Sequence, residues 1–206
     1  MTSGFFIAFE GGEGAGKSTQ ARRLAEHLTS QAFNVVLTRE PGGTATAEKI
    51  RAVLLDPSIT DMPDETEALL FAAARADHAT NLIRPAIEDG SIVICDRYIE
   101  SSVAYQGIGR DLGATYIHEL SSWATQGLLP DFTVYLDVPA DVSIERRAGT
   151  DRMELQSTSF HEDVQNAFRA LAEQSVRPHI VIDATLPIDD IAHTIASAID
   201  EQLKNR

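Results

Sequence analysis

Short apolar runs alternate along the chain with longer stretches whose apolar positions recur every three or four residues. Phe5–Phe9 is apolar throughout, as in a strand covered on both faces. Lys17–Gln31 follows with Leu24 and Leu28 at helical spacing. Residues 34–38 read as a second strand, and 45–55 and 65–83 as helices, the latter ended by Pro85. Residues 91–95 form a third apolar run. Residues 114–126 read as a helix stopped by Gly127. A fourth strand is expected over 132–136, a short helix over 140–147 and a longer one over 159–176. A fifth strand over 179–182 and a last helix over 188–203, preceded by Pro187, complete the series. Strands alternating with helices predict an α/β fold with a five-stranded parallel sheet flanked by helices in three layers. Ligands in such folds bind beyond the carboxyl ends of the strands, so the residues just after each strand matter most.

Composition narrows the field. The chain has 206 residues, 43% hydrophobic and 23% charged, enough to bury one core, and is expected to form a single domain over 1–206. The formal charge of −14 argues against coating nucleic acid or an anionic membrane. The cations are 14 arginines and three lysines, and arginine suits two-pronged recognition of phosphate. A small anionic ligand is therefore expected, with no nucleic-acid or membrane partner. The single Cys95 leaves no internal disulfide or cysteine-based metal site. No apolar run approaches the length of a membrane span, and the first residues lack a signal-peptide pattern. A cytoplasmic setting is expected.

The first strand runs into Gly11-Gly12-Glu13-Gly14-Ala15-Gly16-Lys17-Ser18, followed by Thr19. This is the G-x-x-x-x-G-K-[ST] phosphate loop, placed between a strand and a helix as its mechanism requires. Glycines let the backbone curl around phosphate with N–H groups inward, and the following helix adds its positive end. Lys17 is expected to reach the β- and γ-phosphates, and Ser18 to ligate Mg²⁺. The loop by itself means nucleoside triphosphate binding; kinase, GTPase and motor all remain open. The guanine-reading N-K-x-D is absent, and 206 residues leave little room for motor modules. Asp96 ends a buried strand and suits Mg²⁺, while Arg97 beside it suits a monophosphate or the charge in flight. The competing reading of this pair is a surface salt bridge.

Six blocks make the likeness specific. They are Glu10–Thr19 (EGGEGAGKST), Thr38–Thr44 (TREPGGT), Leu70–Arg75 (LFAAAR), Asp96–Gln106 (DRYIESSVAYQ), Pro130–Val138 (PDFTVYLDV) and Asp151–Glu154 (DRME). In order and spacing, from Phe5 to about Ile182, the chain resembles thymidylate kinases of the bacterial type. The resemblance implies a P-loop kinase fold with a mobile lid, ATP and dTMP as substrates, Mg²⁺ as cofactor and a homodimer. The implied reaction is in-line phosphorylation of dTMP to dTDP, a step toward dTTP. The alternatives are another nucleoside monophosphate or deoxynucleoside kinase, or a P-loop switch that holds ATP without phosphorylating a small molecule.

The likeness also assigns roles. Glu13 falls where the family meets the acceptor's 3′-hydroxyl, which explains an acid beside phosphates. Phe71 and Arg75, four apart on one helix face, fall where the family stacks on thymine and bonds its exocyclic oxygen; from the residues alone Phe71 is equally a core side chain. Ser102 and Tyr105 match positions near the base and beneath the sugar, with Ser shorter than the Asn or Thr of many relatives. Arg39, Arg51 and Gln106 fall on positions lining the acceptor. Glu145–Arg152, with Arg146, Arg147 and Arg152 around Ala-Gly-Thr, resembles the family's lid, about 146–158. Because Gly14 stands where some relatives carry an arginine, the lid is expected to supply it. Arg147 is the first choice and Arg146 a substitute, and Arg152 joins Lys17 and Arg97 as catalytic. The six histidines share no metal-ligand spacing and read as surface or core residues. Trp123 reads as a packing or subunit contact.

Overall fold

The computed structural model describes residues 4–146 and 151–205. Five parallel strands form one sheet in the order β2-β3-β1-β4-β5: β1 Phe5–Glu10, β2 Val35–Arg39, β3 Ile92–Asp96, β4 Phe132–Asp137 and β5 His179–Asp183. The central strand β1 is buried along its whole length, as its unbroken apolar run predicts. Side chains alternate across it. Phe5, Ile7 and Phe9 join the core shared with Leu24 and Leu28 of α1 (Lys17–Ser30) and Ile191, Ile195 and Ile199 of α9 (Ile188–Lys204). Phe6 and Ala8 enter the opposite core, with Ala68 of α3 (Asp64–His78) and Ile117 of α6 (Ala114–Ala124). Period-two alternation thus gives one strand two hydrophobic faces. The helices α1 and α9 cover one side. On the other, α8 (Thr158–Gln174) packs Phe160, Val164 and Phe168 around Tyr105.

One expectation needs correction. Pro85 does not end the helix that begins in α3. A wide turn over Ala79–Ile83 carries the chain into α4 (Arg84–Glu88), where Pro85 sits in the first turn and its missing N–H costs no bond. The segment after β3, to which the apolar periodicity assigns no element, is helical: α5 (Ile99–Ser102) widens into a π-type turn over Val103–Gly109. That turn carries Tyr105 and Gln106, and such turns often mark functional sites. The remaining helices, α2 (Ala45–Leu55) and α7 (Ala140–Arg146), match their expected positions.

Candidate active site

A cavity of about 370 Å³ opens at the carboxyl ends of β1, β2 and β3. Glu13, Gly14, Gly16, Lys17, Ser18 and Thr19 of the phosphate loop contribute to its wall with Arg39, Arg51, Phe71, Arg75, Asp96, Arg97, Ser102, Tyr105 and Gln106, whereas Gly11, Gly12 and Ala15 of the loop do not line it. Residues scattered over ninety positions converge because parallel strands all point their carboxyl ends the same way.

The loop is built to hold an anion. Gly16 caps α1 in a left-handed conformation (φ 83°) and offers no side-chain cap, so the N–H groups of the first turn face an incoming group. No acidic residue lies in that turn. Lys17 is buried, and its Nζ donates to the Gly12 carbonyl at 2.7 Å. Burial, assisted by Arg97, pushes the ammonium down to about 8. Gly14 has φ 68°, and a Cβ there would lie 2.9 Å from the Ser143 carbonyl oxygen and 3.0 Å from the Arg146 Cβ. The loop is thus pressed against α7, and Ser143 Oγ donates to the Glu13 carbonyl at 2.8 Å. Ser18 Oγ donates to Asp96 Oδ2 at 2.5 Å. Asp96 Oδ1 is buried without a hydrogen-bond partner. A hydroxyl and an unsatisfied carboxylate oxygen form a donor set that fits a hard divalent cation.

Arg97 occupies the middle of the cleft. Its backbone is left-handed (φ 71°), a conformation non-glycine residues hold only under constraint, here supplied by a bond from its N–H to the Phe9 carbonyl. Its guanidinium pairs with Glu13 at 2.8 Å, donates to the Gly11 carbonyl at 3.1 Å and lies 5.1 Å from the Tyr105 ring centre. The Tyr105 hydroxyl also donates to Glu13, at 3.1 Å. Burial pushes the Glu13 carboxyl up, but Arg97 and then Lys17 outweigh it and bring the group down to about 2.

At the far end Arg75 is almost fully buried. Its Nε donates to Glu40 Oε2 at 2.7 Å and one terminal nitrogen to Ser121 Oγ at 2.9 Å. The other terminal nitrogen donates to the Tyr98 carbonyl and to Ser102 Oγ, both at 3.0 Å. Four of the five N–H donors of a guanidinium are thereby committed, leaving one for a ligand. Ser102 thus meets Arg75 directly, and its short side chain suits that contact. Arg39 and Arg51 flank the β2 turn. Arg39 pairs with Glu48 at 3.1 Å in a half-exposed contact, and Arg51 donates to the Pro41 carbonyl at 2.8 Å. Burial, then Arg39, push the Arg51 guanidinium down, and the carboxylates of Glu48 and Asp151 offset this only in part.

Arg152 does not face the cleft. It pairs with the fully buried Glu67 at 2.7 Å and donates to the Leu54 carbonyl at 2.9 Å. Glu67 also receives Arg110 at 3.0 Å and the Gln106 amide at 2.9 Å. Arg147 lies outside the described residues. Arg146 donates to the Ala184 carbonyl at 2.9 Å, beside the turn after β5. Sequence reasoning missed Glu40 as a partner of Arg75, and Glu67 altogether. The second was traceable: Glu67, Phe71 and Arg75 recur every four residues on α3, so they share one face.

Comparison with known proteins agrees with this geometry. The family model described as thymidylate kinase matches residues 9–195. A thymidylate kinase of Symbiobacterium thermophilum is 44% identical over 203 residues, covering 98% of this chain and 95% of that protein. One from Geobacillus thermodenitrificans is 41% identical, covering 96% and 90%, and one from Pediococcus pentosaceus is 39% identical, covering 98% and 99%. A phosphate loop, a buried arginine at the opposite end of one cavity and full-length similarity converge: the chain belongs to the thymidylate kinase family.

Proposed function

We propose that the protein transfers the γ-phosphoryl group of ATP to dTMP, giving ADP and dTDP. The observation that carries this reading is one cavity with a phosphate loop at one end and the one-donor Arg75 at the other. ATP would lie along the loop, its phosphates met by amide N–H groups and Lys17. Arg39 and Arg51 would take the acceptor phosphate, with Arg97 between donor and acceptor. Phe71 would stack on the base, Arg75 would donate to its exocyclic oxygen, and Tyr105 would lie beneath the sugar. Gln106, bonded to Glu67, would shape the wall. Glu13 would exchange its bond from Tyr105 for the acceptor's 3′-hydroxyl. Ser18 and Asp96 would hold Mg²⁺, which supplies positive charge beside the phosphates. The attacking phosphate oxygen is already anionic, so no general base is required, and the residues act by positioning and electrostatics.

Residues 146–158 are proposed as a lid, with Arg147 delivering charge to the phosphoryl group in flight. Arg152 is proposed to anchor the lid's C-terminal end through Glu67, in place of the catalytic role the resemblance implies. A homodimer is proposed on the exposed Leu69 of α3 and Tyr116 and Trp123 of α6. A cytoplasmic setting fits the free, buried Cys95.

A coupled ADP-release assay across dTMP, dUMP, UMP, CMP, GMP and AMP tests the reaction. The highest kcat/KM is expected for dTMP. Turnover of no monophosphate, or best turnover of a purine nucleotide, overturns the proposal.

A further inference from the structure

Behind the base end of the cavity lies a buried chain of polar groups that the reaction scheme above does not use. His78, wholly buried at the end of α3, places Nδ1 3.0 Å from Glu40 Oε1 and Nε2 2.8 Å from Thr38 Oγ1. Glu40, also buried, gives its other oxygen to Arg75 Nε at 2.7 Å. A carboxylate can only accept, so Nδ1 carries a proton, and in the neutral ring Nε2 accepts from the Thr38 hydroxyl. The ring is held closely. Gly43, with φ 86°, passes so near that a Cβ there would lie 2.5 Å from His78 Nε2. Cys95 brings a third donor atom, so that sulfur, nitrogen and oxygen lie within 4.8 Å of one another. A cation is nonetheless disfavoured there. Cys95 Sγ donates to the Arg97 carbonyl at 3.0 Å, and both Glu40 oxygens are taken.

We infer that His78 and Glu40 are positioning residues for nucleobase recognition, fixing the guanidinium of Arg75 from behind through the chain Thr38–His78–Glu40–Arg75. The inference rests on the reading of Arg75 as the base-contacting group. An arginine has five donors and rotates about several bonds. Its terminal nitrogens are held by Ser121, Tyr98 and Ser102, and Glu40 supplies the one charged anchor, which pins the Nε edge and so completes the fixing of the uncommitted N–H. Glu40 in turn has a single orientation only while His78 holds its second oxygen. The chain joins the β2 turn to α3, so it also sets the spacing of Arg51 and Phe71 about the acceptor.

Steady-state kinetics with dTMP and ATP varied separately test this. His78→Ala is expected to raise KM for dTMP about tenfold, as loss of a buried hydrogen bond to a charged group would, with kcat and the KM for ATP changing about twofold or less. His78→Asn keeps an amide nitrogen near the Nδ1 position and is expected to recover most of that loss. Thr38→Val leaves the Glu40 bond in place and should raise KM for dTMP about two- to threefold. If His78→Ala does not fold, the Asn and Val variants decide. Equal losses toward both substrates, or no recovery in His78→Asn, overturn the inference. Arg75→Ala separates the two levels. If it raises KM for dTMP strongly while the His78 and Thr38 variants stay within about twofold of the parent, positioning is refuted and the base-contacting reading stands. If Arg75→Ala leaves KM for dTMP unchanged, both fail.

Discussion

At the scale of single residues, burial and neighbouring charge decide behaviour more than residue type does. Lys17 is pushed down to about 8 by burial and by Arg97. A triphosphate beside it favours the charged form, so binding ATP draws a proton onto Lys17. ATP affinity is therefore expected to fall as pH rises through about 8. Calorimetry in buffers of different ionisation enthalpy should show net proton uptake on binding near pH 8; no uptake contradicts the placement of Lys17. Glu13 has the opposite sign. Its folded value of about 2 lies below the usual 4.5, so its stabilisation is full above 4.5 and lost as pH falls through about 2. The full difference is worth about 3 kcal/mol. Denaturant melts over pH 4.5 to 2 are expected to show a shallower decline for Glu13→Gln than for the parent. By contrast, the half-exposed Arg39–Glu48 pair is screened and contributes at most about 1 kcal/mol.

At the scale of elements, helix α3 organises the end of the cavity proposed to take the acceptor. Its period of four puts Glu67, Phe71 and Arg75 on one face, and this much was legible in the sequence. The partners were not. Arg110 and Gln106 come from around the π-type turn, Arg152 from beyond the proposed lid, and Glu40 from the β2 turn. Nothing local distinguishes an arginine aimed at phosphate from one aimed at a buried carboxylate, so the pairing of Arg152 with Glu67 is invisible in the sequence. Removing one partner from such a buried cluster costs about 3–5 kcal/mol. If Arg152 acts through Glu67, Glu67→Gln and Arg152→Ala should lower kcat to similar extents, and the double variant little further. Additive losses would return Arg152 to the phosphates. Hydrogen exchange over residues 151–156 should quicken in either single variant, because the Arg152 bonds to Glu67 and the Leu54 carbonyl hold that stretch.

For the whole molecule, the net charge of −14 is not shared by the cavity. There the cations Lys17, Arg39, Arg51, Arg75 and Arg97 balance the carboxylates of Glu13, Glu40, Asp96, Asp151 and Glu154, so the acidic excess lies elsewhere. The exposed Trp123, 79% accessible, and Tyr116, 66%, lie on α6, next to α3 with its exposed Leu69. Burying such aromatic surface between two copies is favourable at roughly 25 cal/mol per Å². Light scattering is expected to give about twice the 22.4 kDa chain mass, and Trp123→Glu to shift it toward the monomer. A monomeric parent protein would refute the dimer.

The sequence by itself determined the alternation of strands and helices, the phosphate loop and the motifs that mark the family. Each of these is local: periodicity, glycine placement and short spacing are written in neighbouring residues. It did not determine the helical path through Pro85 and the π-type turn after β3, because tertiary packing sets those. Nor did it determine which charge meets which. Glu40 reaches Arg75 across 35 residues, and Glu13 reaches Arg97 across 84. Those pairs exist only once parallel strands bring their carboxyl ends together and water is excluded, which is the physical condition that turns a scattered set of charges into one site.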